Sequence, residues 1–362
     1  MSARLDSGEM IFGALGTRLA DLAARIDAAE EVAGLARLAP ALREIGAGLL
    51  AGDAGAGLAS RVLTAFNDRL TARLVVVVGK AHRLPAAPWC WLAFGSEGRG
   101  EQTFVTDQDN GLIFSAAGAA EARAMRPLFQ PFARAVNEAL AACGLPLCSG
   151  EIMAGNPAWC LSLEEWRRRF GAWIRTPDPE ALLNATIFFD FRCLYGDAKL
   201  ATELRQHLLG LTAANDVFIR MMAGNALGVA PPLGMFGDIV AAGDAGGGVD
   251  LKKQGARLFV DAARIFALAA GLAPVGTVAR LQAAAQARTM DGAEATASAQ
   301  AFAYLQQLRL DRQAGAIGAG LPPGNCLGRK DINEFEYRTL KAALKQAQRL
   351  QQHMKLVFRV DA

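Results

Sequence analysis

Asp107 and Asp109, in the stretch WLAFGSEGRGEQTFVTDQDNGLIF (residues 91–114), carry the strongest chemical signal in this sequence. On an extended segment residues i and i+2 project from one face, so both carboxylates would point into one site while Gln108 turns the other way. Neighbouring carboxylates repel one another unless a cation lies between them. Mg²⁺ is the natural occupant, with Mn²⁺ as an alternative: a hard divalent ion takes one or two carboxylates and leaves other positions to water and phosphate oxygens. Gly95 and Ser96 close the preceding apolar run. A glycine there lets backbone approach a ligand, and a helix starting there would offer N–H groups to phosphate. Strand, glycine turn and aspartate pair describe a phosphate-and-metal site.

Competing motifs fail on spacing. The chain has no GxxxxGK followed by Ser or Thr, which removes a P-loop. Gly95, Gly98 and Gly100 run as GxxGxG, the wrong order for a dinucleotide fingerprint, and Ser96 follows Gly95 directly where a hydrolase elbow needs GxSxG.

The elements that must hold this site follow from periodicity. Residues from about 10 to 82 read as helices, interrupted at Pro40 and by the glycines of residues 51–57. PWCWLAF is apolar on both faces, as a strand covered on two sides would be, and FVTDQDNGLIF reads as its antiparallel partner. A covering helix is expected over residues 121–144, with Pro127 and Pro131 in its first part, and PLCSGEIMA (146–154) reads as a further strand. Beyond NPAW the segments LSLEEWRRRFGAWIR, PEALLNATIFFDFRCLYG and AKLATELRQHLLGL read as helices; Trp159, Trp166 and Trp173, at heptad spacing, are expected to line one buried face. Residues 231–255 are glycine-rich and read as a hairpin, followed by four helices with a loop at 315–330. The expected architecture is α+β: an N-terminal helical segment (1–83), a small mixed-sheet domain (84–160) and a helical C-terminal domain (161–362).

Composition bounds the rest. The 362 residues are 52% hydrophobic with mean hydropathy +0.19, a globular composition, and a formal charge of +3 gives no nucleic-acid-binding footprint. Six cysteines without a CxxC pair and only three histidines argue for reduced, buried thiols and against a zinc site built from them. The N-terminus lacks the basic and apolar regions of a signal peptide, and the longest strongly apolar run is far below the roughly 20 residues of a membrane span, so a soluble, cytoplasmic protein is expected.

GS, a short helix's worth of residues, then DxD resembles the active-site signature of the nucleotidyltransferase superfamily that includes DNA polymerase beta. More closely, GSEGRGEQTFVTDQDNGLI resembles the DUF294 family of nucleotidyltransferases, relatives of the PII-uridylyltransferases, and the likeness continues in NDRLTARL, MAGNPAWCLSLEEW, IFFDFRCLYGD and DLKKQGARLFVDAARIFAL. The resemblance implies transfer of a nucleoside monophosphate from an NTP to an acceptor hydroxyl, with Asp107 and Asp109 holding Mg²⁺ and Gly95 and Ser96 holding phosphates. By analogy the acceptor could be a regulatory protein, which would place the chain in signal transduction. A third carboxylate normally comes from a later strand, and Glu151 is the candidate.

Arg99 suits a phosphate clamp, or an ion pair with Glu97 or Glu101. Asp190 and Arg192, in an apolar segment, need partners as a salt bridge or at the site's rim. Asp250 is placed to cap a helix that presents Lys252 and Lys253 to an anionic ligand, and Arg264 either joins them or pairs with Asp261. The alternative to an enzyme is a nucleotide-binding signalling module without turnover, and a third reading is an adenylyltransferase acting on a small molecule.

Overall fold

A computed structural model describes residues 3–51, 55–240 and 248–360. Three long helices lead the chain: α1 (Ala3–Ala28), α2 (Val32–Ala51) and α3 (Gly55–Gly79). Pro40 lies inside α2 rather than ending a helix. The sheet follows, with β1 (Trp89–Ala93), the five-residue helix α4 (Gly95–Arg99), β2 (Asn110–Phe114), α5 (Ala119–Ala142) and β3 (Cys160–Ser162). After α6 (Leu163–Arg175) and α7 (Pro179–Phe188) comes β4 (Arg192–Gly196), and the order across the sheet is β3-β2-β1-β4. β1 runs antiparallel to β2 and to β4, while β2 and β3 are parallel, so this small sheet is mixed.

Alternation along the strands divides the core in two. Trp91, Leu112, Phe114 and Cys160 face α3 and α5, whereas Cys90, Leu92, Phe94, Ile113 and Leu161 face the helices from α6 onward. Both faces are covered, which is why PWCWLAF carries no polar alternation. The remaining helices are α8 (Ala198–Thr212), α9 (Asp216–Leu227), α10 (Arg257–Ala269), α11 (Thr277–Gln286), α12 (Gly292–Gly318) and α13 (Glu334–Val357). Every residue of α10 from Leu258 to Leu268 is buried, making it the central helix of this part. Its charged Asp261 and Arg264, three positions apart on one face of the helix, are buried along with the apolar residues. Among the described residues, no helix is long and apolar enough to cross a membrane.

Several sequence expectations fail at short apolar runs, where helix and strand periods are hard to separate. RCLYG is strand β4, not the end of a helix. PLCSGEIMA forms no strand; the third strand is CLS at 160–162, so the sheet draws on residues beyond 160. In the segment 231–255, Leu233 and Ile239 make a single bridge. Strand β5 (Gly248–Asp250) pairs instead with the distant β6 (Cys326–Gly328), while residues 241–247 lie outside the described part. The helix expected to end before 315 continues to Gly318. Trp159 belongs to a short 3-10 turn ahead of α6, yet its ring still packs on Trp166 and Trp173. All six cysteines are free; four are buried, but Cys193 is half-buried and Cys326 exposed.

Candidate active site

The aspartates lie just ahead of β2 rather than on it. The chain there is nevertheless extended, because the Phe94 amide donates to the Asp109 carbonyl and carries the β1–β2 pairing one step outward. Alternation survives: Gln108 and Asn110 turn inward and are buried, while Asp107 is exposed and Asp109 half-buried at the cleft. An amide network fixes the inward pair. Gln108 Nε2 donates to the carbonyls of Asn137 (2.9 Å) and Leu145 (2.8 Å), and Asn137 Nδ2 donates to Gln108 Oε1 (2.8 Å) and Asn110 Oδ1 (2.9 Å). The same segment grips the 146–154 loop through Gln108 N to Pro146 O (3.1 Å), Asn110 N to Ile152 O (3.1 Å) and Ala154 N to Asn110 Oδ1 (2.8 Å). This loop delivers Cys148, whose sulfur lies with oxygens of Asp107 and Asp109 in a group of ligand atoms all within 4.8 Å of one another.

Gly95 adopts φ +55°, and a Cβ there would stand 2.9 Å from Asp109 Oδ2, so the glycine is what lets the turn close on this carboxylate. Gly98 is tighter: a Cβ would meet the Asp190 carbonyl oxygen at 2.0 Å. The helix GSEGR is thus wedged between Asp109 on one side and Asp190 on the other.

Asp190 is fully buried and accepts from three arginines: Arg264 (Nε 3.0 Å, Nη2 2.6 Å), Arg280 (2.6 Å) and Arg99 (2.8 Å). Burial alone would raise its pKa, but Arg264, Arg280 and Arg99 hold it far below the ordinary carboxylate range. Arg264 also pairs with Asp261 at 2.7 Å. Arg99 is paired with Glu101 (2.7 Å) and Asp190, not Glu97, although it still lines the cleft. Arg192 pairs with Asp68 of α3 at 2.6 Å and donates to the Glu97 carbonyl, tying α4 down. Glu97 is buried, and burial, reinforced by Asp68, pushes its pKa up to about 8. Burial and then the Asp107 charge push Asp109 up to about 6, opposed by a hydrogen bond from Cys148 and by Lys252.

Lys252, Lys253 and Arg309 share with the aspartates a cleft of about 540 Å³. Asp250 accepts from the amides of both lysines (2.9 Å each), capping a π-helical turn (Leu251–Ala256) that leads into α10. Arg309 is buried and donates to Asn325 Oδ1 (3.1 Å) and to Gln306; among the described residues it has no ion-pair partner, and burial brings its pKa down to about 10. Gly95 and Ser96 line this cleft beside the aspartates. Glu151 does not: it takes φ +55° in a tight turn and lines a separate groove with Arg134 and Glu138. Sequence reasoning missed Cys148, Arg280 and Arg309. The signal for Arg309 was a cation four residues after Leu305 on the apolar stripe of α12; Cys148, in an irregular loop, left none.

Two family profiles match this chain. Putative nucleotidyltransferase DUF294 covers residues 41–180, and the profile described as Putative nucleotidyltransferase substrate binding domain, the C-terminal DUF294 module, covers 216–358. The chain belongs to the DUF294 family. No curated protein sequence matches it. Both DUF294 modules contribute to the cleft, the first through Gly95, Ser96, Asp107 and Asp109 and the second through Lys252, Lys253 and Arg309. Asp190 and β4 lie between the two matched regions, and DUF294 membership gives the chain nucleotidyltransferase chemistry in the general sense.

Proposed function

We propose that this protein moves a nucleoside monophosphate from an NTP to an acceptor hydroxyl, using Mg²⁺ or Mn²⁺ at Asp107 and Asp109, and that the acceptor belongs to a regulatory protein. One observation carries the reading. Asp107 and Asp109 have no ion-pair partner among the described residues and share one cleft with Lys252, Lys253 and Arg309. A polyanion and a cation together would satisfy both sets of charges. The donor set suits a divalent ion, since ligand atoms of Asp107 and Asp109 lie within 4.8 Å of one another, and Gly95, with no Cβ, lets Asp109 sit against the turn. When bound, the ion neutralises triphosphate charge and acidifies the attacking hydroxyl.

In this reading Ser96 and the backbone at Gly95 hold the β/γ phosphates, and Lys252 and Lys253, in the same cleft, add cationic charge to their binding. Arg99 is committed to Glu101 and Asp190, so it positions the turn more than it clamps phosphate. Free cysteines suit a reducing, cytoplasmic setting. Labelled NTPs with Mg²⁺ or Mn²⁺, alone and with cell lysate, should yield labelled protein and released pyrophosphate. Nucleotide binding without either product would support the second reading, a nucleotide-binding module without turnover, which the placement of Glu151 away from the aspartates favours.

A further inference from the structure

We propose that Cys148 is the third protein ligand of the Asp107–Asp109 site and that it shifts the site's preference from Mg²⁺ toward a more thiophilic divalent ion such as Co²⁺ or Zn²⁺. This rests on reading Asp107 and Asp109 as metal ligands. The acid expected to complete the set, Glu151, points into another groove, and the group that stands with the aspartates is the Cys148 sulfur. The loop that carries it is pinned by backbone and amide hydrogen bonds on both sides, at Pro146 and at Ile152 and Ala154, so the placement of Cys148 is built into the fold.

Donor chemistry then decides the ion. Mg²⁺ takes oxygen ligands and would have only the two carboxylates here, whereas zinc-like ions bind thiolate at about 2.3 Å and carboxylate at about 2.0–2.2 Å, affinity rising along the first-row series to copper. Donor atoms on one ion can stand up to about twice those bond lengths apart, and these three lie within 4.8 Å of one another. Without an ion the Cys148 sulfur carries its thiol hydrogen, within 4.8 Å of an Asp109 oxygen. On coordination that proton passes to water and the sulfur lone pair forms the metal bond, leaving the site's other positions open to water or phosphate oxygen.

The test uses the whole chain and metal ions alone. Titration with Co²⁺ should give a near-ultraviolet sulfur-to-cobalt charge-transfer band that is lost in both Cys148→Ser and the Asp107→Asn/Asp109→Asn double variant. By calorimetry, Cys148→Ser should weaken Co²⁺ and Zn²⁺ by about tenfold or more, the least that losing a partner at a metal site costs, with Mg²⁺ unchanged. Cys148→Asp, which supplies a hard oxygen at the same place, should tighten Mg²⁺. Melting temperatures confirm that each variant folds, and Cys148→Ala replaces the serine variant if that one does not. If the serine variant keeps the band and the affinity while the double asparagine variant loses both, the role of Cys148 is overturned and the aspartate site stands. If the double variant keeps them too, both readings fall.

Discussion

The two aspartates backed by the GSEGR turn are treated in opposite ways by the fold. Asp190, behind Gly98, is fully buried and shared by three guanidinium groups; Asp109, behind Gly95, faces a cleft with another carboxylate as its neighbour and no ion-pair partner among the described residues. One carboxyl is held far below its usual pKa and the other is pushed up to about 6. The first is a completed electrostatic structure, joining α4 to α10 and α11. The second is incomplete until a cation arrives. A carboxylate that the protein itself satisfies is scaffold, and one left for something else to satisfy is a candidate site.

Breaking the satisfied side should have the larger effect on stability. Asp190→Asn leaves Arg99, Arg264 and Arg280 without their carboxylate and should destabilise the fold by about 3–5 kcal/mol in denaturant titrations. Because the folded-state pKa of Asp190 is depressed, its contribution is present above the ordinary value of 3.8 and fades as pH falls, so the variant and the parent should converge in acid.

Glu97, between the two regions, gives a pH test of opposite sign. Its folded-state pKa is raised from 4.5 to about 8, so its contribution is complete below about 4.5 and is lost as pH climbs toward 8. Glu97→Gln should therefore match the parent near pH 4.5 and exceed it at pH 8 and above, by up to roughly 1.4 kcal/mol for each pH unit crossed. A melting-temperature series across that range reads the divergence directly.

Gly98→Ala forces a methyl group onto the Asp190 carbonyl and should cost about 1–3 kcal/mol or more, since only backbone movement relieves the contact. At the unsatisfied side, Asp107→Asn/Asp109→Asn should abolish metal-dependent nucleotide binding while raising stability by on the order of 1 kcal/mol near neutral pH, because it removes repulsion and the burial of an unpaired charge. A double variant that unfolds instead would mean that these aspartates, too, are scaffold.

The antiparallel pairing of β1 with β2, the inward turn of Gln108 and the cap at Asp250 were legible because each depends on local geometry: two-residue alternation, a glycine turn, a side-chain oxygen reaching amides two and three residues on. The pairing of Arg99 was half legible, with Glu101 two residues away in sequence and Asp190 ninety-one away. The strand at RCLYG and the turn around Glu151 were misread because short apolar or polar runs do not declare their period.

By itself, then, the sequence determined that two carboxylates would share a face beside a glycine turn, and from its motif the family to which the chain belongs. Tertiary structure decided which groups answer them. It brought Cys148 close to the aspartates and turned Glu151 into a separate groove, gathered Lys252, Lys253 and Arg309 in the same cleft, and placed Asp190 among arginines from three elements. The physical reason is reach: alternation and capping act over a few residues, whereas charges pair with whatever the packed helices carry to within a few ångströms, however distant along the chain.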